Sequence, residues 1–225
     1  MRSFILIIIF TITTLSAAYS QKIRIGITAG PTISGSTREN IQIKNSTDSS
    51  KDHTRSVSSV LSFFGGFVAS VPLSKNIIFR PQLQFIQKGW KNHFDFDNSQ
   101  DYDARIRAEC IDLPLNFVYN VPTKNGRFFI GAGPYLSLAL SGNAHNELDN
   151  TDTKITFKSA DTSGFSANRF DIGANVIAGY EFRNGFFVSL NYSHGFIDFR
   201  TELKNATNPS NKNTVVGLGI GYMFK

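Results

Sequence analysis

The sequence predicts an all-β fold, an eight-stranded antiparallel up-and-down transmembrane β-barrel, on three observations. About eight segments alternate apolar and polar residues, with the period of two that sends successive strand side chains to opposite faces. Three short turns alternate with four long polar connections, the asymmetry of a small membrane barrel. Beyond residue 20 no apolar run approaches the ~20 residues that a membrane helix needs. A mean hydropathy of -0.13 fits this reading, because only alternate residues of a barrel strand meet lipid.

The chain opens on an export signal. Met1-Arg2-Ser3 is a short basic start, Phe4 to Phe10 is wholly apolar, and Ala18-Tyr19-Ser20 offers small residues for cleavage before Gln21. Residues 1–20 are expected to be a signal peptide. Residues 21–225 are expected to form one outer-membrane β-barrel domain with four long extracellular loops.

The first strand segment sets Ile23, Ile25, Ile27, Ala29, Pro31 and Ile33 against Arg24, Gly26, Thr28, Gly30 and Thr32. The second, Leu61 to Leu73, is less regular, since Phe64 and Val68 fall on its polar side. The third places Ile77, Phe79, Pro81, Leu83 and Phe85 opposite Arg80, Gln82, Gln84 and Lys88. The fourth places Ile111, Leu113, Leu115, Phe117 and Tyr119 opposite Cys110, Asp112, Asn116 and Val118. In the fifth, Phe128 to Leu138 on even positions oppose Arg127, Gly131, Gly133 and Tyr135. The sixth is the most diagnostic. Phe170, Ile172, Ala174, Val176, Ala178, Tyr180 and Phe182 share one face, with Arg169, Asp171, Asn175 and Glu181 on the other. The seventh opposes Phe186, Val188, Leu190 and Tyr192 to Ser189, Asn191 and Ser193. The last opposes Val216, Leu218, Ile220, Tyr222 and Phe224 to Gly217, Gly219 and Gly221.

Each stripe covers about ten residues, enough for a tilted strand to cross a bilayer. Tyr119, Tyr180, Phe182, Tyr222 and Phe224 mark stripe ends and are expected to form an aromatic girdle at headgroup level. The turns are residues 72–76, 121–126 and 183–185, and Asn184-Gly185 fits a type I′ hairpin with positive φ at both positions. The long connections run roughly over 34–56, 91–104, 141–168 and 198–213. An even strand count puts both ends of the mature chain beside the short turns, in the periplasm. The barrel is expected to fold without residues 143–166, since loop closure depends only weakly on loop length.

The inward faces carry Arg24, Arg80, Lys88, Arg127 and Arg169 against Asp112, Asp171 and Glu181. In so narrow a lumen these charges must pair, with inward glycines making room for the long Arg chains. The expectation is a packed network rather than a conduit.

Composition narrows the function. The net charge is +6 with no Lys/Arg cluster, so no nucleic-acid partner is expected. Cys110 is the only cysteine, which excludes an intramolecular disulfide. His53, His93, His145 and His194 lack zinc-site spacing, residues 48–52 lack the closing Glu of a calcium loop, and no cofactor is expected. Ser193-His194 evokes a surface hydrolase, but neighbouring strand residues point to opposite faces. No catalytic residue is assigned and the protein is read as non-enzymatic. The expected partners are outer-membrane lipid and another envelope or secreted protein, met through residues 34–56 and 141–168. The alternative is a soluble lipocalin-like barrel, with the parity inverted to hold a small apolar ligand. An outer-membrane hydrolase stands behind both.

Four stretches resemble the PorT-like outer-membrane β-barrel family of Bacteroidota. They are Ile25-Gly26-Ile27-Thr28-Ala29-Gly30, Ile111-Asp112-Leu113-Pro114-Leu115, Phe129-Ile130-Gly131-Ala132-Gly133-Pro134-Tyr135-Leu136, and Phe170-Asp171-Ile172-Gly173 with Gly179-Tyr180-Glu181. The resemblance implies an eight-stranded barrel in the outer membrane of a Gram-negative bacterium. One member of that family is tied to a secretion system. It supplies no catalytic residues to carry over. The chain departs from the usual aromatic terminus of outer-membrane proteins, since Lys225 follows Phe224.

Overall fold

The computed structural model describes residues 23–37, 41–43, 53–96, 102–155, 157, 167–198 and 212–224. The expected signal peptide lies outside them. Eight long strands close a barrel: β1 (Arg24–Ser36), β3 (His53–Pro72), β4 (Ile77–Phe96), β5 (Tyr102–Thr123), β6 (Gly126–Asn146), β8 (Phe170–Phe182), β9 (Phe186–Gly195) and β10 (Asn213–Met223). All pairings are antiparallel, and β1 closes the ring by pairing both β10 (Ile33↔Val216) and β3 (Ile27↔Phe67). Two short strands join outside the ring, β2 (Ile41–Ile43) on β3 and β7 (Thr151–Lys154) on β6.

The parity is that of a membrane barrel. Leu61 is 73% exposed and Ile130 59%, while Asp112 and Asn116 are 2% and 0% exposed on the inside. A lipocalin-like barrel would need the reverse, so that alternative fails. Phe64 and Val68, the two residues of the second segment on the polar side, are buried in the lumen.

The inward glycines make room for rings rather than for arginines. Phe129 pairs directly with Gly179, Tyr135 with Gly173 and Phe187 with Gly221. A Cβ at Gly173 would lie 2.5 Å from Tyr135 Cε1. In a lumen of this size a ring can lie flat against the wall only where the facing strand lacks a side chain.

The short turns and both described chain ends share one end of the barrel. The girdle forms there, with Tyr180 4.7 Å from Phe128 and 4.9 Å from Phe182, and Tyr222 5.1 Å from Phe186 and 5.5 Å from Phe224 between ring centres. Asn184-Gly185 does not form the expected type I′ turn, because only Gly185 has positive φ (97°). Gly185 N–H donates to Phe182 C=O (3.0 Å), and Asn184 Oδ1 accepts from Phe186 N–H (3.1 Å). The Asn side chain thus works as a hydrogen-bond acceptor, leaving the left-handed residue to Gly, as in a three-residue loop with a glycine bulge.

The long-loop end differs most from expectation. Strands β3, β4, β5 and β6 span 20 to 22 residues, whereas β1, β8, β9 and β10 span 10 to 13. The barrel has one high wall and one low wall. Residues 91–104, read as a polar loop, are mostly a continuation of β4 and β5, paired from Lys91↔Arg105 to Phe94↔Tyr102. Within 141–168, β6 continues to Asn146 and β7 returns along it. Ile155 and Ala167 then turn inward and are buried with Trp90, Ile106, Ala108 and Phe64. The described residues of this segment, Ile155 and Ala167 among them, therefore pack into the core rather than forming a free loop.

Candidate functional site

The described lumen is filled in layers. At the short-turn end Glu181 takes Arg24 Nη2 (2.6 Å) and Arg127 Nη2 (2.8 Å) on one oxygen, with Arg80 Nη1 3.7 Å from the other. The Arg80 guanidinium lies between the Phe129 and Phe187 rings, 4.5 Å from each centre. These rings join Val68, Val118, Ile177 and Met223 in an apolar plug. Next comes an amide layer, in which Asn175 Nδ2 donates to Asn116 Oδ1 (2.9 Å) and Ser193 Oγ to Asn175 Oδ1 (2.7 Å). Above it Lys88 pairs Asp112 at 2.8 Å and donates to Ser137 Oγ, while Tyr135 O–H donates to Asp171 (2.8 Å). The Trp90 cluster forms a second apolar plug at the long-loop end. The cavity between the plugs is about 20 Å³, room for about one water.

Most of the expected charges thus pair inside, with two exceptions: Asp171 is held by the Tyr135 hydroxyl and the Asn213 amide instead of a cation, and Arg169 is not inside at all. Arg169 is exposed at the rim, its guanidinium 5.7 Å from the Phe157 ring. Parity places it inward, but it precedes β8, where the pleat has not yet begun.

The lipid belt has a sharp upper edge on the high wall. Phe85, Ile111, Leu138 and Phe170 pair in one row across β4, β5, β6 and β8. The next outward row is Gln87, Glu109 and Ser141. A bulge sits at this level: Glu109 pairs Ser141 while Cys110 pairs Ala139, leaving Leu140 unpaired. Above the row the pattern inverts. On β5, Arg105, Arg107 and Glu109 face out while Ile106, Ala108 and Cys110 are buried. A water-soluble sheet has this pattern, apolar within and charged without. The inversion was legible in the sequence, in the alternation from Arg105 to Cys110, but it is hidden when the search looks for apolar residues facing out.

This protruding sheet is the candidate site. It runs in the order β2, β3, β4, β5, β6, β7, and nine residues of β4 beyond Gln87 add about 30 Å of strand. Its outward face holds a depression of about 310 Å³ lined by Arg105, Arg107, Glu109, Asn143, His145 and Asp152. Ion pairs brace it. Lys91 contacts Asp103, and Glu147 lies 3.6 Å from Lys91 and 3.2 Å from Arg105. His93 Nδ1 is 2.8 Å from Asp103 and His145 Nδ1 is 2.9 Å from Asp152. The hydrogen bond from Lys91 holds the Asp103 carboxyl below the ordinary carboxylate range, and Asp103 in turn raises Lys91. At the hairpin tip Asn150 has φ 53°, and Thr151 donates to Asp149 through both N–H and Oγ.

Ser193 and His194 do point apart. Ser193 Oγ donates into the lumen to Asn175, whereas His194 lies against Phe196, 6.1 Å between ring centres, with Nδ1 3.5 Å from Thr214 Oγ1. Among the described residues no group of three His, Cys, Asp or Glu could hold a metal. Residues 48–52 lie outside the described residues.

A closed barrel with lipid-facing walls and a filled polar lumen defines a β-barrel membrane protein. The chain belongs to the outer membrane protein beta-barrel domain family, which matches residues 19–200. It is an outer-membrane protein of a Gram-negative bacterium, in contact with membrane lipid. It is similar in chain path to Neisserial surface protein A (13% identity, 91% of this chain and 100% of that one, TM-score 0.44). It is also similar to OprG from Pseudomonas aeruginosa (12%, 89% and 95%, 0.45) and to Ail of Yersinia pestis (12%, 91% and 100%, 0.42). None of the curated protein sequences matches this chain. Identities this low leave function to the chain's own residues.

Proposed function

We propose that the protein is a non-enzymatic outer-membrane barrel that holds a binding sheet above the bilayer for another envelope or secreted protein. The observation that carries this is the inversion of pattern at the Phe85–Ile111–Leu138 row, beyond which four strands continue as a charged sheet. A barrel that only anchored itself would have no use for a wall of this height. The signal peptide over 1–20 and the PorT-like assignment within the family belong to the same proposal. So does the orientation, with short turns in the periplasm and the sheet outside, as is usual for bacterial barrels. Residues 34–56 and 141–168 contribute through β2, β3, β6 and β7.

Two experiments test the reading. In a Cys110→Ser background, Thr153→Cys is expected to react with an impermeant thiol reagent in intact cells, and Lys75→Cys is not. Labelling at Lys75 alone reverses the orientation. A photo-crosslinking residue at Asn143 is expected to capture a protein, one at Leu218 on the lipid face only lipid, and His194→Ala is expected to leave the Asn143 adduct unchanged. If Asn143 yields no protein adduct while His194→Ala abolishes the cellular phenotype, the binding-sheet reading is wrong and the hydrolase returns.

A further inference from the structure

The short-turn end carries a second feature, independent of the protruding sheet. A cavity of about 380 Å³ opens among the turns, lined by Arg24, Lys75, Asn120, Arg127, Glu181 and Arg183. Below it Arg80 is 3% exposed, and its Nε and Nη2 have no acceptor in the protein. Among the described residues that line the cavity, Glu181 is the one acid. With Arg80 beneath, five cations face one carboxylate, an excess of four positive charges.

Glu181 cannot balance this charge. Its Oε1 already meets both Arg24 and Arg127, and Oε2 meets Arg80 only at 3.7 Å. Clustered like charges partly withdrawn from water are costly unless a counter-charge joins them. Arginine has no deprotonated form to retreat to. The stacked rings hold Arg80 in place, so the cluster cannot relieve itself by swinging that residue into solvent. Forked guanidinium donors converging from several strands suit a tetrahedral oxyanion, and the volume is that of a small-ligand site.

We propose that the mouth of the barrel at the short-turn end is a phosphate-binding site. Arg24 and Arg127 are its forked donors, Lys75 and Arg183 its rim charges, and Arg80 the buried charge beneath. The same chemistry is carried by a phospholipid headgroup reaching over the rim and by a free phosphate ester.

The test is calorimetric titration of inorganic phosphate and pyrophosphate into the folded barrel in a maltoside detergent at low ionic strength. Saturable binding is expected, stronger for pyrophosphate. Arg127→Gln should weaken it about tenfold, as loss of a charge-assisted fork predicts. Glu181→Gln should tighten it, since the competing carboxylate is gone; a purely structural Glu181 would give no tightening. Should either variant fail to fold, the exposed pair Lys75→Gln and Arg183→Gln, on turns outside the strand ladder, should still weaken binding several-fold. Absence of saturable binding at millimolar phosphate, or binding indifferent to all four substitutions, overturns the proposal. Repeating the titration in nanodiscs identifies the source. Loss of phosphate binding in phosphatidylglycerol but not in a phosphate-free galactolipid assigns the site to a headgroup, and retention in both assigns it to a free phosphate ester.

Discussion

The Arg80 guanidinium is stacked 4.5 Å from the centre of the Phe129 ring in the interior of the barrel. Phe129 can lie there because its cross-strand partner is Gly179, and Phe187 closes the other side opposite Gly221. Two glycines, two rings and one arginine therefore form a single packed unit, from which the guanidinium reaches toward Glu181.

Lysine should not replace arginine at this position. An ammonium keeps the charge but not the planar face that stacks between two rings. Arg80→Lys is expected to cost about 2 kcal/mol, the scale of a desolvated cation–π contact, measured by urea unfolding in lipid vesicles. The same substitution made in a Phe129→Leu background should cost clearly less. Additive costs would show that the stacking contributes nothing.

Depth should govern the cost of charge on the outer face. Val176 lies midway along the lipid stripe of β8, paired with Ala132 and Tyr192, whereas Ile172 lies near its upper edge, one outward-facing pair below Leu138 and Phe170. Val176→Arg should cost about 2–4 kcal/mol and Ile172→Arg less, while Asn143→Arg above the belt should cost close to nothing. Equal costs at all three positions would contradict the placement of the belt.

The upper plug should report its own loss. Ile155 is buried against the cluster that contains Trp90, the single tryptophan of the chain. Ile155→Ala should destabilise by about 2–4 kcal/mol through the cavity it leaves. Replacing 143–166 with a Gly/Ser linker should go further and shift Trp90 emission to the red as water enters. An unchanged emission spectrum after that replacement would mean the segment does not cover Trp90.

Acid should loosen the Lys91–Asp103 brace of the protruding sheet. Asp103 is held below its ordinary range by Lys91, so its contribution is present above the unfolded carboxylate pKa and lost as pH falls through the lower folded value. Lys91 is raised, so its contribution is present below the unfolded ammonium pKa and lost only as pH climbs through the higher folded one. Between the two the pair should be insensitive to pH. Carboxyl carbon NMR of Asp103 should show a depressed midpoint that returns to the ordinary range in Lys91→Met; a midpoint unmoved by that substitution would remove Lys91 as the cause.

The sequence by itself determined the number of barrel strands, the face that most strand residues take and the membrane they cross. Period-two alternation is a local property, and the stripe from Phe170 to Phe182 states it without reference to any other strand. It also determined that the inward charges must pair, though not with whom. That Arg24, Arg80 and Arg127 converge on Glu181 depends on a ring closed between the first and last strands, across more than 150 positions of chain. Only the tertiary structure decided that the described parts of 91–104 and 141–168 continue the barrel wall and its core. Above the lipid belt the environment outside the wall changes from lipid to water, so the same strands carry an inverted pattern that reads locally as polar loop. The inward turn of Ile155 was likewise invisible, because its reason is an open barrel end around Trp90 that exists only once four long strands stand side by side.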